Sequence, residues 1–512
     1  MRCDWTVGVC MLGISLCGFV SAQTVINYEA FGAVGDGKTD DMKAIVAAHA
    51  AANAQGLPVK VAAGKTYYIG EAPLTAIVKT DVDFGTAKFV IDDVKVALKQ
   101  RGAPIFSIVS DQKPFAVKGV STLTRGQTSI GVTLPSDCLL VAFDKNVRQY
   151  IRYGANQNNG SPQQEVFLCD KTGTVDPRAP IVWNFKQVTG LTAYPVDAKT
   201  LVVKGGVFTT IANQAESRYT YYGRGISVTR SNVRIEGLRH EVTGELDHGA
   251  PYSGFVGVSK CANVTITGCV FTAHKTYQTI GSAGVPVRMG SYDITANTAV
   301  NISYVNCRQT TDIKDSRYWG LFGSNYCKNL LYDGCEFSRF DAHMGVANAT
   351  IRNCRLGYMG INAIGFGTFR IENSTVYGGN FINLRSDYGS TWEGDFVIRN
   401  CTFVPACGRS ATGNLVGGSY SGLHDFGYPC HMPRRILVEG LHVDDTNHPK
   451  NYKGPCLFSD FNKKNVNAEY VETYPYHITK EVVLKNVTTA SGKPFATSSN
   501  PWMFRNVKVT IE

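Results

Sequence analysis

The sequence predicts an all-β fold, a single-stranded parallel β-helix, because a twelve-residue phrase recurs between Ala262 and Val404. Apolar residues alternate with other residues along the phrase, which is typical of β-strands. Each strand ends in Gly or Asn, which adopt a left-handed backbone conformation at least cost, so a turn is expected there. A small residue follows the turn. The six phrases are ANVTITGCVFTA, VNISYVNCRQTT, KNLLYDGCEFSR, ANATIRNCRLGY, GTFRIENSTVYG and GDFVIRNCTFVP.

The spacing of the phrases indicates that each belongs to one coil of a stack. Their first inward positions lie between 19 residues (Leu330 to Ala349) and 38 residues (Val264 to Ile302) apart, which leaves room for two or three short strands per coil. A single coil cannot bury its apolar face, whereas stacked coils pair each strand with its equivalents above and below. With outlying copies included, the turn is predicted at Gly205, Gly237, Gly268, Asn306, Gly334, Asn353, Asn373, Asn400, Gly440 and Asn486.

The same pattern divides the chain into segments. Residues 111–200 lack the phrase and contain alternating stretches such as EVFLCDKTG, so they are interpreted as an inserted β-rich subdomain. Residues 23–110 then form the N-terminal cap and the first coils, and residues 201–512 form the main β-helix. A solenoid of this length needs no second core, because each coil contacts only its neighbours.

The first 22 residues have the pattern of a secretory signal peptide. An apolar run, residues 7–20, follows a basic residue, and small residues end at Ala22, which predicts cleavage there and a secreted or periplasmic protein. The run is too short for a transmembrane segment, and no other long apolar run follows it. Lipid anchoring at Cys17 is not favoured, because the residue before it is bulky.

Charge and cysteine usage restrict the partners of the chain. Its formal net charge is +10, which suits an anionic partner such as an acidic polysaccharide. No basic cluster is interleaved with aromatic residues, so no nucleic-acid partner is predicted. No CxxC or Cys/His spacing indicates a metal site. Five cysteines share one repeat position and are expected to be buried free thiols: Cys269, Cys307, Cys335, Cys354 and Cys401.

The N-terminal stretch FGAVGDGKTDDMKAIVAAHAAANAQG predicts a turn followed by a helix. Asp36, Asp40 and Asp41 are interpreted as turn and capping residues, and an Ala-rich helix should run to about Ala54 and end at Gly56. The stretch resembles the opening of the pectate-lyase-like superfamily, where an equivalent segment and helix cap a right-handed β-helix. That superfamily contains pectin-active hydrolases, lyases and phage tailspikes. The resemblance therefore implies the fold and leaves the chemistry open.

Functional side chains of a solenoid must leave the tube, and polar residues that follow the phrase strands are the candidates. Adjacent coils lie about 4.8 Å apart, so carboxylates one or two coils apart have the separations used in glycoside hydrolysis. Asp341 and His343 alternate along one strand and should face the same way. Asp341 with Asp315 or Asp387 would supply the catalytic acid and base, and His343 would orient the acid.

The segment FINLRSDYGSTWEGDF is the second candidate region. Arg385 either pairs with Asp387 or holds a substrate carboxylate in a bidentate fork. Tyr388 and Trp392 have flat faces of the kind on which sugar rings stack. The other predicted substrate contacts are Asp247, His248, His274, Lys275, Arg317, Tyr318, Trp319, Asn362, Asn383 and Glu393.

β-Elimination would need different groups, namely a cation over a uronate carboxylate and a base for the neighbouring proton. The candidates are Lys275, Arg317 and Arg385 as cations, with His343, Tyr318 and Tyr388 as base or acid. Asp315, Asp341 and Asp387 would then be available to hold Ca²⁺. Hydrolysis by the same carboxylates needs no cofactor.

The catalytic signatures of the superfamily are absent from the chain. Its polygalacturonase-type hydrolases carry NTD, GHG and RIK, and its pectate lyases carry RxPxxR, which residues 432–435, MPRR, do not match. Hydrolysis of an acidic polysaccharide is favoured slightly, because paired Asp outnumber stacked Arg and Lys. A polysaccharide lyase, an epimerase acting on the polymer and a non-catalytic glycan-binding or adhesive β-helix remain the alternatives.

Overall fold

A computed structural model describes Met1 and residues 25–216, 220–247, 249–409, 413–461, 471–497 and 504–512. Apart from Met1, the predicted signal peptide with Cys17 lies outside the described residues, as does His248, a predicted substrate contact. Within the described ranges, no helix has the length and apolarity needed to cross a membrane. A parallel sheet system of 33 strands dominates the structure, so the predicted all-β class is confirmed.

The N-terminal helix α1, Met42–Gln55, caps the first coil. The Asp41 carboxylate accepts hydrogen bonds from two backbone amides of the preceding turn at 2.7 and 3.1 Å. The first amide of α1 donates to Asp40 at 3.0 Å, and Asp36 accepts two further backbone amides. The helix ends at Gly56, whose φ of 65° is left-handed. The interpretation of these aspartates as turn and capping residues is therefore confirmed.

Each coil contributes strands to as many as three parallel sheets, called sheets I, II and III. Sheet I contains Val59–Lys60, Val233–Glu236, Ala262–Thr267, Val300–Val305, Lys328–Asp333, Val346–Arg352, Gly365–Glu372, Trp392–Arg399, Arg435–Glu439, Glu481–Lys485 and Lys508–Ile511. Sheet II contains Asp36–Asp40, Thr66–Ile69, Arg239–Thr243, Val270–Phe271, Arg308–Gln309, Thr375–Val376, Thr402–Phe403, His442–Val443 and Thr488–Thr489.

Sheet III contains Ala76–Val78, Phe106–Ile108, Ile226–Val228, Val256–Ser259, Ile294–Asn297, Phe322–Asn325, Asn380–Leu384, Asn414–Gly417 and Cys456–Phe458. Four longer strands bend from one sheet into the next. Val82–Asp92 and Leu201–Ile211 pass from sheet I to sheet II, and Glu336–Met344 and Arg355–Ala363 pass from sheet II to sheet III. Short 3-10 helices lie at Glu29–Phe31, Leu98–Gln100, Ser386–Tyr388 and Pro405–Gly408.

The phrase strands pair in the register that the repeat predicts. Val264 pairs with Ile302, which pairs with Leu330, and the row continues through Ala349 and Phe369. All ten predicted turn residues have φ between 48° and 75°. The five cysteines of the repeat are buried free thiols. The phrase therefore describes the tube wall as predicted.

A ladder of asparagines at the other end of these strands reinforces the stack. The side-chain amide of Asn263 donates to Asn232, Asn301 donates to Asn263, and Asn329 donates to Asn301, at 2.8 to 2.9 Å. All four have φ of 57° to 59°. Asn tolerates this left-handed conformation better than most residues, so it meets both the backbone and the side-chain requirement.

The insertion forms a separate four-stranded antiparallel sheet of Phe115–Ala116, Cys138–Gln149, Ser161–Cys169 and Gly190–Pro195. It is joined to the β-helix by a buried ion pair, in which Lys328 Nζ lies 2.6 Å from Glu165 Oε1. The predicted capping helix and inserted β-rich subdomain are thus both present. Two smaller pairs complete the fold, Tyr277–Ile280 with Pro286–Met289 and Cys430–His431 with Tyr476–His477.

Candidate active-site cleft

The outward residues of sheet III form one row along the axis of the β-helix. At its start the row consists of small residues, because Ser227 pairs with Gly257, Gly257 with Thr295 and Thr295 with Gly323. It continues in polar residues, since the strand after Gly323 places Asp341 at the equivalent position, and Asp341 pairs with Asn362 and Asn362 with Asn383. Six steps of about 4.8 Å make the row roughly 29 Å long.

An open cleft of about 870 Å³ lies over this row. Its walls come from distant parts of the chain, because the insertion supplies Arg152 and Asn156 and the β-helix supplies Tyr292, Trp319 and Arg385. The Tyr292 ring lies over Gly323, where an added Cβ would come within 3.3 Å of the ring. Small residues on the floor and aromatic residues on the walls leave an elongated trough that suits an extended chain of sugar rings.

Asp341 lies beneath the cleft and is fully buried. Its Oδ2 lies 2.5 Å from Arg339 Nη2, and its Oδ1 lies 3.3 Å from Arg385 Nη1. The Tyr292 hydroxyl is 3.4 Å from Oδ2. Alternation placed Asp341 on the correct face, but two guanidinium groups cover the carboxylate, so its predicted role as a catalytic acid in contact with substrate is wrong.

Asp387 lines the cleft in the 3-10 helix after Arg385. Its carboxylate makes a two-point contact with Arg385, at 2.8 and 3.2 Å, and a second ion pair of 2.8 Å with Arg152. Burial opposes the charged carboxylate, but Arg385 and Arg152 outweigh burial and lower the pKa of Asp387 to about 2. Asp387 is therefore ionised at neutral pH and has no proton to give to a leaving group.

These side chains form one charged group, called the arginine cluster: Arg152, Arg339, Arg385, Asp341 and Asp387. Three guanidinium groups face two carboxylates, which leaves one positive charge within the cluster. Unbalanced charge in a partly enclosed site favours binding of an anion. The predicted pairing of Arg385 with Asp387 occurs, and both residues belong to the cluster.

His343 lines the cleft next to the arginine cluster. Its Nδ1 lies 2.8 Å from Asn325 Oδ1. An amide oxygen only accepts, so Nδ1 donates and Nε2 carries the lone pair. Burial, with Arg385 as the next cause, lowers the pKa of His343 well below its ordinary 6.5. The imidazole is therefore neutral at pH 7, with one nitrogen able to accept a proton.

Several predicted substrate contacts lie elsewhere. Asp315 pairs with the exposed Arg317 at 2.5 Å, and neither lines the cleft. Asp247 is exposed and lies outside the cleft too. Asp315 therefore does not form a carboxylate pair with Asp341. The predicted calcium ligands do not fit a cation either, because Asp341 and Asp387 are already bridged by Arg385.

His274 is buried in the tube and does not contact the cleft. Its ring nitrogens face Glu245 at 3.1 Å and Asp293 at 3.3 Å, and Asp293 also binds His240 at 2.7 Å. Burial opposes the charged imidazole, but the bonds to Asp293 and Glu245 outweigh burial and raise the pKa of His274 to about 9. His274 is therefore a structural cation, and the prediction that it contacts substrate is wrong.

Two predicted contacts line a second, smaller cleft of about 330 Å³ on the sheet II side. Lys275 and Tyr318 lie there with Glu245 and Thr272. The Lys275 amino group donates to the carbonyls of Glu245 and Leu246 at 3.3 and 3.4 Å. Neither residue lines the larger cleft, in contrast to Trp319, Asn362 and Asn383.

The two aromatic residues of the second predicted region are buried. Trp392 has no exposed surface, packs on Phe369 and donates from Nε1 to a backbone carbonyl at 2.9 Å. Tyr388 is 3% exposed and packs edge-on against His343, with ring centroids 5.6 Å apart. Glu393 pairs with Arg125 of the insertion at 2.7 Å, outside the cleft. The predictions that Tyr388 and Trp392 stack on sugars and that Glu393 contacts substrate in this cleft are therefore wrong.

Four cleft residues were missed by sequence reasoning. Arg339 lies two positions before Asp341, so the same alternation places it on the same face and could have identified it. Tyr292 and Asn325 belong to sheet III strands or their approaches, where no repeated phrase marks the register. Arg152 comes from the insertion, and no local pattern indicates that it reaches the β-helix.

An extended groove along one sheet of a right-handed parallel β-helix defines the class of this protein as one of the pectate-lyase-like superfamily. The chain is similar to the tailspike gp61 of Pseudomonas phage phi297 (TM-score 0.52, 14% identity, covering 95% of this chain and 83% of that one). It is also similar to the Gp54 tailspike of Acinetobacter baumannii bacteriophage AP22 (TM-score 0.51, 11% identity, 95% and 79% covered). These likenesses establish the fold, and the predicted resemblance is confirmed.

A curated relative shares part of the sequence. The KL64-specific capsule depolymerase of Klebsiella phage P510 is 31% identical over 149 residues, which is 24% of this chain and 14% of the relative. The match thus spans about a seventh of the relative's length. No protein-family model matches the chain.

Proposed function

We propose that this protein degrades an acidic polysaccharide and cleaves it by β-elimination in the cleft over sheet III, with His343 as the base. The observation that carries the proposal is the combination of a neutral imidazole, whose Nε2 is free to accept a proton, with the unbalanced positive charge of the adjacent arginine cluster. A uronate-containing polymer supplies the matching groups, namely an acidic C–H bond and a carboxylate beside it.

The proposed step balances within the site. His343 Nε2 takes the proton from the carbon next to the uronate carboxyl group, and the electron pair forms a carbon–carbon double bond while the glycosidic C–O bond breaks. The imidazolium then returns the proton to the leaving oxygen. The arginine cluster stabilises the negative charge that develops on the carboxyl group, which is the largest obstacle to removing this proton.

Hydrolysis by paired carboxylates has less support. It needs one carboxyl group that holds a proton and another that activates water or attacks. Asp387 is ionised, and Asp341 is covered by two guanidinium groups. The predicted third carboxylate, Asp315, lies outside the cleft.

The relatives support a bacterial surface polysaccharide as the substrate. The similar phage protein is a depolymerase specific for the KL64 capsule, and the AP22 tailspike structure is a complex with a capsular saccharide. We infer a capsule-type acidic polysaccharide, and export through the predicted N-terminal signal would bring the enzyme to it. The net charge of +10 supports an anionic polymer.

The test is incubation of the purified protein with acidic capsular polysaccharides and with a neutral dextran control. Elimination predicts shorter chains by size-exclusion chromatography together with the ultraviolet absorbance of unsaturated uronate ends. His343→Gln should lower kcat by about 100-fold or more, because it removes the base. His442→Gln, at an exposed histidine bonded to Thr488, is the matched control and should retain activity.

The alternatives give different results in the same assay. New reducing ends without ultraviolet absorbance would establish hydrolysis and overturn the proposed step. Retention of the polymer on the immobilised protein with no change in chain length would indicate a non-catalytic glycan-binding protein.

A further inference from the structure

Arg339 has hydrogen-bond donors that nothing on the described chain satisfies. The side chain is 3% exposed, lies in the strand Glu336–Met344 and lines the cleft. Its Nη2 binds Asp341, but Nε and Nη1 are buried and lack a hydrogen-bond partner among the described residues. A buried charged donor without an acceptor is costly, so folded proteins seldom retain one without a reason.

Trp319 adds a third such donor in the same wall of the cleft. Its Nε1 is also buried and lacks a partner in the described part of the chain. The Arg339 guanidinium carbon lies 5.0 Å from the Trp319 ring and 5.6 Å from the Tyr292 ring, so the cation lies against both aromatic faces.

Packing fixes the indole in this position. A Cβ added at Gly290 would lie 1.9 Å from Trp319 Cγ, so only glycine fits against the ring. Gly320, with φ of 115°, places its own Cα within contact distance of Arg339, where an added Cβ would lie 3.0 Å from Arg339 Cβ. The unpartnered N–H groups are therefore held rigidly and are available to a ligand without rearrangement.

We infer that Arg339 and Trp319 form the subsite that binds the carboxylate of an acidic sugar. A sugar hydroxyl would accept from these donors, but only an anion also balances the positive charge of the arginine cluster. The aromatic faces of Trp319 and Tyr292 contact the apolar face of the ring that carries the carboxylate. The inference rests on the proposed function for the acidic nature of the polymer, and it assigns selectivity to residues other than the base.

The test measures binding of sodium glucuronate, with glucose as its neutral counterpart, by titration calorimetry. The unmodified protein should prefer glucuronate. Trp319→Phe keeps an aromatic ring and removes only the indole N–H. Arg339→Lys keeps the positive charge and removes the Nε and Nη1 donors. Each variant should bind glucuronate about 10-fold more weakly, the effect of losing a charge-assisted hydrogen bond, and should bind glucose as before.

Arg288→Gln is the matched control for charge. Arg288 also lines the cleft, but its guanidinium donates to Thr276 Oγ1 at 3.4 Å and to the Ser316 carbonyl, and it is not part of the arginine cluster. This variant should weaken glucuronate binding less than Arg339→Lys does. An equal loss in both variants would mean that cleft charge alone selects the ligand, and it would overturn the subsite.

The outcomes separate the subsite from the proposed function. If Arg339→Lys and Trp319→Phe, both folded by circular dichroism, still prefer glucuronate as the unmodified protein does, the subsite is wrong while elimination by His343 stands. If the protein cleaves no acidic polymer but prefers glucuronate through Arg339, the subsite stands and the proposed reaction fails.

Discussion

Replacement of Lys328 by Met tests how the insertion is attached to the β-helix. Lys328 lies in the sheet I strand Lys328–Asp333, and Glu165 lies in the insertion. Their side chains are each 2% exposed, and Nζ lies 2.6 Å from Oε1. Nζ also donates to the Pro180 carbonyl. Lys328→Met removes the cation and leaves the carboxylate buried.

The magnitude follows from what remains around Glu165. Its Oε2 accepts the backbone amides of Val182 and Trp183 at 2.9 and 3.1 Å, which only partly replace the lost cation. Breaking a buried ion pair from one side costs about 3 to 5 kcal/mol. Adding Glu165→Gln removes the stranded charge and keeps an oxygen for the two amides, so the double variant should recover about 2 kcal/mol or more.

The assay combines urea unfolding with hydrogen exchange of residues 138–195. If the pair holds the insertion in place, amides at its interface in Lys328→Met should exchange about 100-fold faster, whereas those of the distant strand Glu481–Lys485 should not change. The control is Lys204→Met, whose ion pair with Asp83 is solvent-exposed and should be worth less than about 1 kcal/mol. An unfolding free energy for Lys328→Met within that margin of the unmodified protein would refute the reasoning.

Three further predictions concern the site and the tube. The pKa of His343 lies well below 6.5, and the base must be neutral, so kcat/KM on a cleaved polymer should stay constant down to pH 6.5 and fall only below it; a fall between pH 8 and 7 would contradict this. The folded-state pKa of His274 is about 9 against 6.5 for an ordinary histidine, so its stabilisation should be complete below pH 6.5 and decline as pH rises through 9, and His274→Gln should remove this dependence in denaturant unfolding at each pH. Asn301→Ala should cost about 2 kcal/mol in urea unfolding, and Asn301→Gly should cost less because Gly accepts the φ of 59°; equal losses would mean that only the side-chain ladder matters.

The tube wall was predictable because one local rule applies at every coil. Gly and Asn mark the left-handed turn, and the alternation before them fixes which side chains enter the core. The same rule already contained the correct placement of Trp392. Trp392 has the same parity as Phe396 and Ile398, which point inward, and the structure buries all three. The prediction failed there because an aromatic residue near a loop was given a functional role without that parity check.

The cleft was predictable only in part, for a related reason. Alternation brings Asp341 and His343 to one face, and the coil period brings Asn362 and Asn383 into the same row. Whether such a carboxylate is free depends on its neighbours in space. Arg385 could be expected near Asp387 from a spacing of two residues, but that it also reaches Asp341 depends on the register of two coils.

The insertion explains why these residues form an enclosed site rather than an exposed polar stripe. The coils that carry Asp341 and Asn362 are short, because their phrases begin only 19 and 20 residues before the next one, and short coils have no long loops to cover their outer face. Arg152 and Asn156 of the insertion provide that cover from about 200 residues away. Arg152 also supplies the third guanidinium, without which Arg339 and Arg385 would only balance Asp341 and Asp387. Arg152→Gln should therefore abolish the excess positive charge and weaken binding of an anionic polymer more than binding of a neutral one.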